Sequence, residues 1–135
     1  QKTIEFHTLS GVLSATTNDE GMICLSFPID SCDEIDATDD LMKNTLCKAL
    51  NINQDKILYI GRNSCDVLIE LEPLPLPSLE VDLSVLSLIE CRGVIVTCEA
   101  TEKANAPKGC DFVSRFFAPR AGGDTQLTDY HSYLN

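Results

Sequence analysis

Residues 3–8, Thr-Ile-Glu-Phe-His-Thr, alternate polar and apolar side chains of β-favouring types, and the alternation resumes over 12–16 once Ser10-Gly11 has supplied a turn. This predicts a hairpin. Asn18-Asp19-Glu20-Gly21 is a second turn signal, and residues 22–27 form a third strand ended by Pro28, which removes a backbone donor. From 28 to 38 the chain turns polar and acidic, marking a long loop or a link between lobes. Thr38 is placed to cap a helix over 39–50. Its acids lie in the first turn, Leu41, Met42, Leu46, Ala49 and Leu50 form one apolar stripe, and Asn51 can close the end.

Residues 56–60 and 66–71 read as two strands joined through Gly61-Arg62-Asn63-Ser64. Pro73, Pro75 and Pro77 then impose an extended linker. The apolar positions of 81–89 fit neither the helical nor the strand period, and the segment is read as a short helix. A β-branched strand over 93–98, a polar loop over 99–109 and a strand over 110–117 that stops at Pro119 complete the pattern. Strands dominate and no repeat of twenty to fifty residues is present, so the predicted class is α+β with a largely antiparallel or mixed sheet. The expected organisation is 1–29 as the end of one lobe, 30–123 as part of a second, and 124–135 as a tail.

Composition narrows the function classes. Lys and Arg number 10 against 21 Asp and Glu, a formal charge of −11 that repels phosphate backbones and anionic headgroups. Neither nucleic acid nor a membrane surface is therefore an expected partner. The acids are scattered, as on a solvated face. The seven cysteines form no Cys-x-x-Cys and mostly fall in apolar runs, so they are expected to be buried thiols of a cytoplasmic protein rather than disulfide partners or zinc ligands. No apolar run approaches about 20 residues and no signal segment is visible.

Two motifs carry a family resemblance. Phe112-Val113-Ser114-Arg115-Phe116-Phe117-Ala118-Pro119 resembles the Phe-x-Ser-Arg-x-Phe-Ala-Pro strand of PhzF-like isomerases, and Phe6-His7-Thr8-Leu9-Ser10-Gly11-Val12-Leu13 resembles their Phe-x-Thr-x-Ser-Gly-x-Leu hairpin. The interval between them, with a helix and a strand pair, is also similar. The resemblance implies the diaminopimelate-epimerase-like fold, two barrel-like sheets each around a central helix. It also implies cofactor-free proton transfer on a small amino-acid-like or hydroxy-acid substrate. Such chemistry needs a carboxylate whose pKa is raised by a water-poor cleft, and donors for the developing negative charge.

The family's Ser-Glu-Thr-Ala-Phe segment, which holds its acid/base Glu, and its Pro-Leu-Cys-Gly-His-Ala-Thr segment do not occur in these 135 residues. After Arg120 the family continues toward Glu-Asp-Pro-Val-Thr-Gly-Ser-Ala-His, whereas this chain reads Gly123-Asp124-Thr125-Gln126-Leu127-Thr128-Asp129-Tyr130-His131. Asp124 and His131 keep the corresponding types, so the resemblance makes Asp124 the catalytic candidate and His131 the substrate-binding one. Each competes with a plainer role, Asp124 as a solvated loop acid and His131 as a histidine without a partner carboxylate. Arg115 either faces the cleft or packs its stem along the sheet. The expectation is an internal fragment of an isomerase, incomplete as a catalyst, with a small molecule and a second copy of the chain as partners. The competing expectation is a non-catalytic binding or self-associating module.

Overall fold

The computed structural model describes residues 3–9, 11–35, 40–121 and 127–131, with the backbone alone at 121 and 127–131. The chain divides into two compact units between Ser31 and Cys32. The first is a meander of β1 (Thr3–Thr8), β2 (Gly11–Thr17) and β3 (Ile23–Ser26), antiparallel in sequence order. Gly11 adopts φ 108° after the first turn, and the Thr8 hydroxyl donates to the Gly11 carbonyl at 2.8 Å. In the second turn the Asn18 side-chain oxygen accepts from the backbone N–H groups of Glu20 and Met22. The register separates the two faces sharply. Ile4, Ala15 and Leu25 form one row beside Phe6 and Leu13, while Thr3, Thr16 and Cys24 share the other face with Glu5, Ser14 and Ser26. No described residue of this unit is buried.

The second unit is a six-stranded mixed sheet in the order β4-β5-β6-β7-β8-β9, comprising Asp33–Glu34, Ile57–Arg62, Asp66–Leu71, Gly93–Glu99, Phe112–Phe117 and Leu127–His131. The β6 and β7 strands are parallel, and every other neighbouring pair is antiparallel. A parallel pair needs a long crossover. The proline linker, a 3-10 turn at Leu76–Ser78 and the helix α2 (Leu83–Leu86) supply it. Each strand sends alternate residues to one face: Val67, Ile69 and Leu71, Val94, Val96 and Cys98, Val113 and Phe117 are all buried there. Against them lie Leu46, Ala49 and Leu50 of α1 (Asp40–Leu50), with Leu86 and Ile89 from the α2 region.

The α+β class, with few helices and strands predominating, is as the sequence predicts, and the sheet is an incomplete barrel-like layer over a helix. The α1 helix ends at Asn51, which takes φ 52°, with the Ile52 N–H donating to the Cys47 carbonyl. The Thr38 cap lies outside the described residues. Residues 81–89 yield a single turn, whose Asp82 carboxylate accepts from the Ser84 and Val85 N–H groups.

Two expectations are corrected. Gly61 belongs to β5 rather than to the turn; the turn is made by Asn63, whose side-chain oxygen accepts from Cys65 N–H at 2.8 Å and Asp66 N–H at 2.6 Å. The cysteines are not uniformly buried. None is in a disulfide, but Cys24 and Cys65 are exposed and only Cys98 is fully buried. Cys24 falls on the polar face of the small sheet and Cys65 in the turn, so the apolar neighbours of Cys24 in sequence do not report which face its own side chain takes.

Candidate functional site

Asp124 lies outside the described residues. His131 closes β9, where its backbone pairs with Phe112, and its backbone alone is described. Neither residue contributes a described side chain to a site.

The Ser114-Arg115 pair is placed by strand alternation. Ser114 goes to the outer face, whereas Arg115 enters the core row between Val96 and the 3-10 turn and is 3% exposed. Its Nη1 donates to the Leu76 carbonyl at 2.6 Å and to the Leu79 carbonyl at 2.8 Å, and the guanidinium stands 4.7 Å from the centre of the Phe117 ring. Burial lowers its pKa from the ordinary arginine value. These contacts tie the proline-rich crossover to β8, the strand that ends at Ala118-Pro119. Arg115 therefore acts as an internal clamp, with the head as well as the stem packed.

The outer face of the same strands holds a concavity of about 500 Å³ lined by Leu68, Ile95, Phe112 and Phe116, the hydroxyls Thr97 and Ser114, and the pair Asp66–Arg92. Phe116 lies over Gly93, where any Cβ would overlap its ring. Thr97 Oγ1 donates to the Val113 carbonyl at 2.9 Å. At one end Arg92 Nε donates to Asp66 Oδ1 at 2.9 Å, and Nη2 contacts Oδ2. The Asp66 side chain is 5% exposed and that of Arg92 65%. A bidentate pair of this kind satisfies a buried carboxylate. Sequence reasoning missed the basin because its residues come from three strands and only their register brings them together.

No family model matches the chain. It is 36% identical over 123 residues to an uncharacterized isomerase of Halalkalibacterium halodurans, which covers 90% of this chain and 42% of that protein. It is 32% identical over 123 residues to an uncharacterized isomerase of Pseudomonas aeruginosa, covering 90% and 41% respectively. A crystal structure from Clostridium difficile described as a phenazine biosynthesis PhzC/PhzF protein superposes with a TM-score of 0.62 at 23% identity, over 93% of this chain and 42% of that one. The chain is thus similar to part of two proteins named isomerases and shares the fold of a PhzC/PhzF protein. It spans less than half the length of the curated relatives it matches.

Within this PhzF-like chain the shifted carboxylates move away from general-base character at neutral pH. Hydrogen bonding and charge from Lys56 hold Glu72 below the ordinary carboxylate range, and hydrogen bonds from Ser84 and Val85 do the same for Asp82. Burial raises the thiols of Cys47, Cys91 and Cys98, which favours the protonated rather than the nucleophilic form. Among the described residues no group of three His, Cys, Asp or Glu is arranged to hold a metal ion, and no helix is long and apolar enough to cross a membrane.

Proposed function

We propose that this chain is the scaffold-bearing part of a cytoplasmic PhzF-like isomerase, one that moves a proton on a small amino-acid-like or hydroxy-acid substrate without a cofactor. The observation that carries the reading is the shared 123-residue stretch with two proteins named isomerases, of which it forms 42% and 41%. The proton-transfer glutamate belongs to a segment outside these residues. The chain contributes the strand held by Arg115 and the segment that follows Pro119, including Asp124 and His131. Those two residues act through the substrate, Asp124 in catalysis and His131 in binding.

The test is to express the chain extended by its in-frame upstream coding sequence, with and without Glu→Gln in a Ser-Glu-Thr-Ala-Phe-type segment. Turnover of an α-amino or α-hydroxy acid that disappears in the Gln variant is the expected result. An extended protein that lacks such a segment yet still turns over the acid overturns it.

A second reading is favoured by one observation, the apolar face of the small sheet, where Ile4 and Phe6 are each 49% exposed and Leu25 61%. On this reading the chain is a non-catalytic module that self-associates as a homodimer through that face. Light scattering separates the two, since a monomeric 135-residue chain at high micromolar concentration removes the homodimer.

A further inference from the structure

We propose that Ser31 is a phosphoryl-acceptor site for an acid-directed serine kinase, with a nucleoside triphosphate as donor. Four hydroxyl side chains stand three residues before an acid: Thr16, Thr17, Ser31 and Ser87. Only the structure separates them. A kinase cleft takes its acceptor as a short extended segment, so the acceptor has to lie on an exposed stretch outside helices and ladders. Thr16 and Thr17 are inside β2, where they pair with Cys24 and Ile23 of β3. Ser87 closes α2, and its hydroxyl donates to the Ser84 carbonyl at 2.7 Å. Ser31 is exposed and lies in the irregular stretch 27–32, at the boundary between the two compact units. The acids that follow it, Asp33 and Glu34, are exposed on β4, a two-residue strand at the edge of its sheet. A cleft therefore meets them without opening a buried element.

The kinase class comes from the charge. Ser31 follows Asp30 and precedes Asp33, Glu34 and Asp36, and no Lys or Arg occurs between Lys2 and Lys43. A substrate groove lined by carboxylates would meet like charge throughout this segment, whereas a groove lined by Lys and Arg is complementary to it. In the reaction the Ser31 Oγ forms a bond to the γ-phosphorus and the bond from that phosphorus to the bridging oxygen breaks. The nucleoside diphosphate leaves, and the hydroxyl proton passes to the carboxylate base of the kinase. The product carries about 1.5–2 further negative charges at neutral pH, on a stretch that has no cation of its own. The modification thus adds repulsion at the junction instead of gathering an arginine cluster around it. The site uses neither Asp124 nor His131 and does not depend on the isomerase reading.

The experiment incubates the 135-residue chain with magnesium ATP and either a purified acid-directed or a purified base-directed serine kinase. Intact mass reads phosphoryl incorporation, and fragmentation mass spectrometry reads its position. The acid-directed kinase is expected to modify Ser31 at least roughly tenfold faster than the base-directed one, because like-charge juxtaposition at an interface costs several kcal/mol. Ser31→Ala should abolish the incorporation. Glu34→Lys should slow it at least roughly tenfold for the same reason, whereas Glu20→Lys, three residues after Thr17, should leave the rate unchanged. All three positions are exposed, so the substitutions leave the packed core untouched. Phosphate on Thr16, Thr17 or Ser87 with Ser31 bare, equal rates with the two kinases, no incorporation, or a Glu34→Lys rate equal to that of the parent would each overturn the proposal. The assay reads no isomerisation, so its failure leaves the isomerase reading intact.

Discussion

Arg115 shows how far a residue's meaning depends on register. Its position in a Phe-Val-Ser-Arg-Phe-Phe run was compatible with the cleft or the sheet surface, and alternation alone could not choose between the two faces. The choice is made by the carbonyls of Leu76 and Leu79, thirty-nine and thirty-six residues earlier, which need a donor once the crossover is packed on the sheet. Arg115→Met preserves the stem and removes the donor, so the Leu79 carbonyl loses the guanidinium and the Leu76 carbonyl keeps only the Leu79 N–H. Urea denaturation should show a loss of about 2–4 kcal/mol. A loss below about 1 kcal/mol, the scale of an ordinary surface substitution, would contradict the clamp.

At the surface, Lys56 Nζ lies 2.7 Å from Glu72 Oε2 and joins the start of β5 to the residue after β6. The Glu72 pKa is depressed from 4.5 and that of Asp82 from 3.8, so their contributions are complete above those values and are lost as pH falls through the lower folded values. The Lys56 pKa is raised from 10.5, and its share is kept below that value and lost as pH rises past it. The urea midpoint of the parent chain should therefore fall below about pH 4.5. In Glu72→Gln that acid limb should be shallower, and added salt should shrink the difference between the two proteins. Parallel acid limbs would show that the pair contributes nothing.

At the scale of elements, the strands of the first unit and of β5–β8 were legible because their side chains alternate, and α1 because its capping acids, Asn51 and the stripe of Met42, Leu46, Ala49 and Leu50 agree, whereas Leu41, expected in that stripe, is 79% exposed. The 81–89 segment was not. A crossover buried between sheet and helix shows apolar residues on several sides, and its single helical turn is fixed by the Asp82 carboxylate and by Asp82 N–H donating to the last-turn carbonyl of Ala49 at 2.7 Å. β9 was missed because 124–135 carries no apolar alternation; the strand exists by pairing with β8. Gly93 has a tertiary reason as well. A Cβ there would overlap the Phe116 ring and stand 2.9 Å from the Phe117 carbonyl oxygen. Gly93→Ala should cost about 1–3 kcal/mol, as overpacking does. Phe116→Ala should recover only part of that in the double mutant, because the carbonyl cannot move aside. Full recovery would place the whole cost on the ring.

At the scale of the molecule, the strong acidity visible in the sequence sets an expectation about partner classes but says little about chemistry. The site residues suggested by resemblance, Asp124 and His131, are the part that local physics could not test. The residues between them, 125–130, lack the Pro, Gly and Ser with which the family's segment would aim backbone donors at a substrate. What the structure adds is a clamp, a basin and carboxylates whose shifts run downward, all of which describe a scaffold. On the function proposed above, these 135 residues supply the fold and the proton-transfer group lies outside them. The most direct measurement is deuterium incorporation at the α-carbon of a panel of amino and hydroxy acids, incubated in D2O with the purified 135-residue chain and followed by proton NMR. The account predicts no exchange above the protein-free control for any acid. Catalytic exchange that copurifies with the chain and vanishes on its thermal unfolding would contradict it.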